Sequence, residues 1–407
     1  MTKKLKILHT VEFYNPSVGG AQEVVKQLSE HLVMLGHDVT VATTRLPNRK
    51  GKVINGVKIA EFDVGGNAVR GYTGEDIKKY QDFLIKGGFD VIMNYAAQEW
   101  TADLAFEVLE KITAKKVFVP CGYSGLYDPH YEQYFATLPS VLRKYDHCVY
   151  LSDDYRDINF ARANKIRNGV LIENGADERE FQVIPKVNKS KFLAKYGIPA
   201  SNQIILCVSN HTGLKGHKEA IKSFNKAKIS HTSLVFIGDV NLSGGCYKQC
   251  LRSSKIARIA SIFHHNGKSI HILHLSRQET INFYAISDIF LFLSNIECSP
   301  LVLFESSASG VPFIASRCGN AEEIAKWTKA GIIAKSAQTP NGYTTTDMKS
   351  AVAAIEKVLA DPKALALLGR NGRANWERRF TWAKLAQRYE SLYNSRESAT
   401  KTHRLPR

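Results

Sequence analysis

The 407 residues predict an α/β protein built as two doubly wound domains in tandem, facing each other across a cleft. Three observations carry this. Apolar runs of strand length alternate with segments of helical period, which makes a mostly parallel sheet covered on both faces. The alternation occurs in two series, separated by a turn-rich break over residues 173–202. The length leaves room for two domains with full cores.

The first series opens with a legible β-α-β unit. Leu5, Ile7 and Leu8 begin a strand, and residues 12–20 form a loop ending in Gly19-Gly20. A helix is predicted from about Ala21, with Val24, Val25, Leu28, Leu32 and Leu35 on one side and Gly36 as its stop. Asp38–Ala42 reads as the second strand, and the runs at 90–93, 116–119, 147–150 and 170–172 continue the theme. The break contains Asn174-Gly175, Pro185, a polar run from Lys186 to Lys191 and Gly197-Ile198-Pro199, consistent with a linker holding one short helix. The second series has strands at Ile204–Val208, Ser233–Ile237, Ile270–Leu273, Ile289–Leu293 and Pro312–Ala315, with helices beginning near Gly216, Gly245, Arg277 and Ser299. Residues 1–172 and 173–380 are thus read as the two domains, followed by a helix over about 381–395 and a basic tail over 396–407.

The chain carries 55 Lys+Arg against 38 Asp+Glu, a formal charge of +17. Residues 1–172 contribute +2 and residues 173–407 contribute +15. Such a surplus implies an anionic partner without choosing among nucleotide, phospholipid and nucleic acid. No apolar run approaches the ~20 residues that span a bilayer, and the N-terminus lacks a signal-peptide core. Seven cysteines at 121, 148, 207, 246, 250, 298 and 318 form no CxxC pair, which points to a reducing, cytoplasmic setting with thiols as small apolar fillers.

The segment Asn295–Gly310 carries the most chemistry. It follows the buried-looking strand Ile289–Leu293, and Ser299 is a good N-cap with Pro300 in the first helical position and Gly310 as the stop. A helix starting beyond the carboxyl end of a central strand stands where open α/β sheets bind ligands. Its free amides around Leu301 and Val302, with the helix dipole, suit a diphosphate. Glu297 and Glu305 are eight positions apart, about 12 Å along a helix. They are too far apart to share a proton, but can hold opposite ends of an extended ligand.

This Glu-x7-Glu, followed by Gly310-Val311-Pro312 and Gly319-Asn320-Ala321-Glu322-Glu323-Ile324, resembles the retaining nucleotide-sugar glycosyltransferases of family 4 (group 1), enzymes of the GT-B fold. Gly19-Gly20, Glu173-Asn174-Gly175-Ala176-Asp177 and Lys215-Gly216 agree, so the resemblance runs from about residue 5 to residue 393. It implies that Glu297 lies beside the transferred sugar, that Glu305 binds the donor ribose, and that Lys215 neutralises the departing diphosphate. Gly19 and Gly20 would let backbone approach the donor phosphate or the acceptor. The terminal helix, with Trp382, Leu385, Tyr389, Leu392 and Tyr393, would cross back to the first domain as packing. Asn320 and Glu323 would lie near the cleft.

Two positions depart from the family pattern. Ser209-Asn210 stands where many members have Gly-Arg, which leaves Asn210 in the donor-binding set without the arginine's charge. Val119-Pro120-Cys121-Gly122-Tyr123 stands where many have a His, so the acceptor side is assigned to Cys121, Gly122 and Tyr123, with His130 nearby in sequence. There is no Asp-x-Asp triplet, and His211, His217 and His264-His265 lack ligand spacing, so neither a metal nor a cofactor is expected beyond the nucleotide-sugar donor.

The resulting expectation is a retaining, metal-independent transferase that moves a hexose-like sugar to a growing or lipid-linked glycan, in bacterial polysaccharide or lipopolysaccharide assembly. The alternatives are an epimerase-like relative, a catalytically impaired scaffold, and a nucleic-acid binder, the last lacking any recognition signature. The basic runs Lys215–Lys228, Lys248–Arg258, Arg370–Arg379 and Arg396–Arg407 further suggest peripheral docking on an anionic membrane at its inner face.

Overall fold

The computed structural model describes residues 3–239 and 245–395, so the basic tail expected over 396–407 lies outside the described residues. The chain divides into two compact units, Met1–Asn174 with Trp382–Arg407 and Gly175–Thr381. The division falls two residues beyond the boundary read from the sequence.

In the first unit the strands are β1 (Lys6–Thr10), β2 (Asp38–Thr44), β3 (Val53–Ile54), β4 (Val57–Phe62), the hairpin β5 (Gly65–Asn67) and β6 (Gly71–Thr73), β7 (Val91–Tyr95), β8 (Lys115–Val119), β9 (His147–Tyr150) and β10 (Gly169–Leu171). Eight of them form one sheet in the order β10-β9-β8-β7-β1-β2-β4-β3, parallel except for the β3–β4 pair. β7 and β9 are buried along their whole length, as a sheet covered on both faces requires. The first helix spans Gly20–Met34 and buries Val24, Val25, Leu28 and Leu32. It ends in a Schellman motif: Gly36, at φ +96°, donates to the Val33 carbonyl, and the His37 amide donates to that of Leu32. The chain's last described helix, Trp382–Asn394, packs in this unit, burying Trp382, Leu385, Tyr389 and Tyr393. Its Tyr393 hydroxyl lies 3.0 Å from His9 Nε2 on β1.

In the second unit β11 (Gln203–Val208), β12 (Thr232–Ile237), β13 (Ser269–Leu273), β14 (Ile289–Phe292), β15 (Phe313–Ala315) and β16 (Gly331–Ile333) form a parallel sheet in the order β13-β12-β11-β14-β15-β16. A hairpin, β17 (Ser336–Gln338) and β18 (Thr344–Thr346), follows it. Clusters around Leu206, Val235 and Phe290, and around Ile205, Phe236 and Leu291, cover the two faces. The turn-rich break holds two short helices, Glu178–Phe181 and Lys189–Ala194, where one was expected. Each has its own side-chain cap, from Asp177 and Asn188 respectively. The small edge elements β3, β5, β6, β17 and β18 have too little apolar periodicity to be read from sequence.

Candidate active site

In the second sheet the chain runs outward from β11 through β12 to β13, then returns to place β14 on the other side of β11. The order therefore reverses between β11 and β14, and loops leaving such a switch point frame the ligand crevice of open α/β sheets. The loop after β11 is stitched to the loop after β14: the Asn295 amide donates to the Leu214 carbonyl at 2.9 Å. Gly216 makes the close approach possible. It sits at φ +72°, and a Cβ there would lie 1.9 Å from the Leu293 carbonyl oxygen.

This stitching brings together two predicted residues 82 positions apart. Lys215 Nζ lies 2.6 Å from Glu297 Oε1, and the Ser294 hydroxyl donates to the same oxygen at 2.9 Å. Both side chains keep some exposure, 29% and 14%, so the pair is reachable from solvent.

The helix beyond β14 spans Leu301–Ala308, with Pro300 in the N-cap position at ψ 116°. The expected Ser299 cap is thus corrected by one residue. The proline ring fixes φ near the helical value, but Pro300's ψ stays extended, and Pro300 offers no side-chain cap. Ser299 Oγ accepts from Asn320 Nδ2 at 3.2 Å. The half-buried Leu301 and Val302 begin a helix whose first amides suit an anion. Gly319, at φ +58°, lets the loop after β15 close on the Cys298 carbonyl, which accepts from the Asn320 amide at 2.9 Å.

Glu305, on the same helix, is 7% exposed and is held at both oxygens. Arg277 Nη2 donates to Oε1 at 2.6 Å and the buried Tyr284 hydroxyl to Oε2 at 3.1 Å. Arg277 also grips Glu180 through Nε and Nη2. Sequence reasoning missed Arg277, Tyr284 and Glu180; the only signal was an arginine opening the helix after β13. Asn210 is exposed, with its Oδ1 accepting from the Asp239 amide at 3.1 Å. Some of the basic surplus is structural, since Arg373 donates to the Phe181, Gln182 and Ala308 carbonyls.

The donor-binding glycines and the acceptor-side assignments in the first unit fare unevenly. Gly19 is extended at φ −176° in the N-cap position of the first helix, where a Cβ would press on the flexible end of Gln22, 2.5 Å from its Oε1, while Gly20 has nothing near a would-be Cβ. Cys121 and Gly122 lie at positive φ after β8, with the Cys121 thiol 3.6 Å from the Tyr95 hydroxyl. Tyr123 is corrected: its ring is 1% exposed and packs edge-on to Phe135 and Phe160, a core residue rather than an acceptor contact. His130 sits on a short 3-10 turn, its ring 85% exposed and bonded to Asp128 at 2.8 Å.

The first sheet has its own switch point, between β1 and β7. There Glu99 accepts from the Glu12 amide at 3.3 Å. Burial, with the Glu12 charge beside it, pushes the Glu99 carboxyl up to about 8, and burial also raises Glu12. Glu99 therefore carries a proton at neutral pH when folded and loses it when unfolded. A raised acid binds more protons in the native state between its unfolded and folded values, so its contribution to stability declines as pH rises from about 4.5 to about 8. Glu99→Gln should remove that decline. Denaturant midpoints of variant and wild type should differ more at pH 8 than at pH 5, the variant being the more stable at pH 8, and a constant difference would count against the assignment.

Two doubly wound units, the second with a paired carboxylate and lysine at its switch point, have the architecture of the GT-B glycosyltransferases. Residues 188–375 match the family described as Glycosyl transferases group 1, and residues 18–180 match Glycosyltransferase Family 4. The chain belongs to the group 1, family 4 glycosyltransferases. It is 24% identical over 393 residues to N-acetyl-alpha-D-glucosaminyl L-malate synthase of Bacillus anthracis, covering 93% of this chain and 94% of that one. It is 25% identical over 240 residues to a GDP-mannose-dependent alpha-(1-6)-phosphatidylinositol monomannoside mannosyltransferase of Mycolicibacterium smegmatis, covering 55% and 56%. Among solved structures, Anabaena HepE in complex with UDP superposes with a TM-score of 0.71 at 15% identity, covering 95% and 99%. No helix among the described residues is long and apolar enough to cross a membrane.

Proposed function

We propose that the chain is a retaining, metal-independent transferase that moves a sugar from a nucleotide-diphosphate donor to a glycan or glycolipid acceptor in cell-surface assembly. The observation that carries this is the Lys215–Glu297 pair at the switch point, 2.6 Å apart. When the donor's anomeric C–O bond breaks, negative charge develops on the leaving diphosphate. Lys215 and the first-turn amides of the Leu301–Ala308 helix are the groups aimed to receive it, and preorganised charge of this kind is the main lever on such a step. The acceptor oxygen bonds to the same face of the anomeric carbon and passes its proton to the departing phosphate oxygen. Glu297 accepts hydrogen bonds from the sugar hydroxyls and Glu305 from the ribose. The relatives' names, which include a UDP complex and GDP-mannose-dependent enzymes, support a nucleotide-sugar donor. One of those names, a phosphatidylinositol monomannoside mannosyltransferase, supports a glycolipid acceptor.

A thermal-shift panel of UDP, GDP and ADP tests the donor assignment. One nucleotide should stabilise the wild type, and Glu305→Ala should lose that shift. The variant also strands the buried Tyr284 hydroxyl, a cost of about 1–3 kcal/mol, whereas Glu305→Gln keeps an acceptor for it. An unchanged nucleotide shift in Glu305→Ala would sink the ribose role. The anomeric configuration of the product, read by NMR, separates retention from inversion.

A further inference from the structure

The loop that presents Lys215 is flanked by two histidines, and a cysteine from a third element meets both. His211 lies in the loop after β11, His217 is the first residue of the helix His217–Lys226, and Cys246 is the second of the helix Gly245–His264. Cys246 Sγ is 3.7 Å from His211 Nδ1 and 3.8 Å from His217 Nδ1, and one ligand atom from each of the three residues lies within 4.8 Å of the others. The rings stack with centroids 4.3 Å apart and turn their Nδ1 edges to the same sulfur.

We propose that His211, His217 and Cys246 form a binding site for a thiophilic divalent cation of the Zn²⁺ class. An ion about 2.3 Å from sulfur and about 2.1 Å from nitrogen sets those atoms about 3.5 Å apart in a tetrahedral shell. The two sulfur–nitrogen separations exceed that by a few tenths of an ångström, within the reach of small side-chain rotations. The surroundings suit ligation. His217 Nε2 is engaged by the Ser209 hydroxyl at 3.3 Å, the outer contact that fixes a ligating ring and leaves Nδ1 bare. His211 Nε2, which would carry the ring proton when Nδ1 ligates, is buried with no hydrogen-bond partner among the described residues, so His217 is the ring with an outer contact. The two histidines are 1% and 2% exposed, and Cys246 is half-buried and open to entry. Burial also keeps both imidazoles neutral by pushing their values down. Two nitrogens and one thiolate suit zinc, with a fourth position left for water.

The site is distinct from the donor chemistry, but it touches the donor loop. His211 and His217 bracket Lys215, so an ion held by both closes that loop at its two ends and restricts the lysine. Binding converts the Cys246 thiol to a thiolate and releases its proton to solvent.

The test uses tag-free full-length chain, reduced with a phosphine and stripped of metal by chelator dialysis. Zn²⁺ is titrated against a chromogenic chelator, with proton release followed in weak buffer. One tightly bound Zn²⁺ and about one proton per ion are expected. Cys246→Ser and His211→Asn should each weaken binding at least about tenfold, and Cys246→Ser should abolish the proton. Co²⁺ in place of Zn²⁺ should give a thiolate charge-transfer band in the wild type and none in Cys246→Ser. Wild-type affinity retained in both variants, or a cobalt spectrum without that band, overturns the site. Should one variant fail to fold by circular dichroism, the other and the wild-type cobalt spectrum still decide.

Discussion

Lys215→Ala is expected to lower kcat by about 10²–10³-fold, the usual loss when one preorganised donor to a developing anion is removed. The fold should survive the change. The ion pair with Glu297 is part-exposed on both sides, and pairs of that kind contribute about 0–1 kcal/mol. Glu297 also keeps the Ser294 hydroxyl when the lysine is gone. The position where many family members place an arginine is Asn210 here, its Oδ1 bound to the Asp239 amide. Lys215 is therefore the cation on which the charge argument rests, and there is no arginine at that position to compensate. Because the negative charge grows as the donor bond breaks, the loss should fall on kcat more than on the binding of nucleotide diphosphate. Steady-state turnover on the donor identified by the nucleotide panel, with Kd by calorimetry, separates the two. A kcat within a few-fold of wild type would remove Lys215 from the mechanism.

The parts of this site that sequence reasoning reached are those encoded locally. The Gly20–Met34 helix is legible because its apolar stripe and its Gly36 stop are contiguous. β14 and the helix after it are legible because an apolar run, Pro300 and Gly310 stand in order. That Lys215 touches Glu297 is a consequence of strand order, and strand order is a property of the whole sheet that the intervening residues do not spell out. The family resemblance supplied both residues as roles, while the geometry supplied the contact. Arg277 and Tyr284 were invisible because a capped helix opening with arginine looks like any solvated one; only the folded chain turns that guanidinium onto Glu305. The same holds for Cys246, which meets His211 and His217 across 35 and 29 residues. Tyr123 failed for the opposite reason. Proximity in sequence to the missing His position favoured it, but the left-handed turn at Cys121-Gly122-Tyr123 sends the tyrosine ring into the core.

Gly216→Ala should be the most damaging single change of small size in the second unit. Two costs combine at this position. An alanine at φ +72° pays the left-handed penalty, about 1–2 kcal/mol. Its Cβ would also stand 1.9 Å from the Leu293 carbonyl oxygen and 2.2 Å from its carbon, and these are backbone atoms at the end of β14 that no rotamer can move aside. Relief requires the loops after β11 and β14 to separate, at about 2–5 kcal/mol in all. Gly213→Ala is the internal control. It lies in the same loop at φ +88° with nothing near a would-be Cβ, so it carries the first cost without the second. The difference between the two urea midpoints therefore isolates the steric term. The functional consequence follows from the same contact, because the carbonyl that would be displaced leads directly into the chain of Ser294 and Glu297. Gly216→Ala protein that remains folded should hold Lys215 away from Glu297 and lose turnover, while Gly213→Ala keeps it. Equal losses of stability and turnover in the two variants would mean that the loop contact is not what positions the lysine.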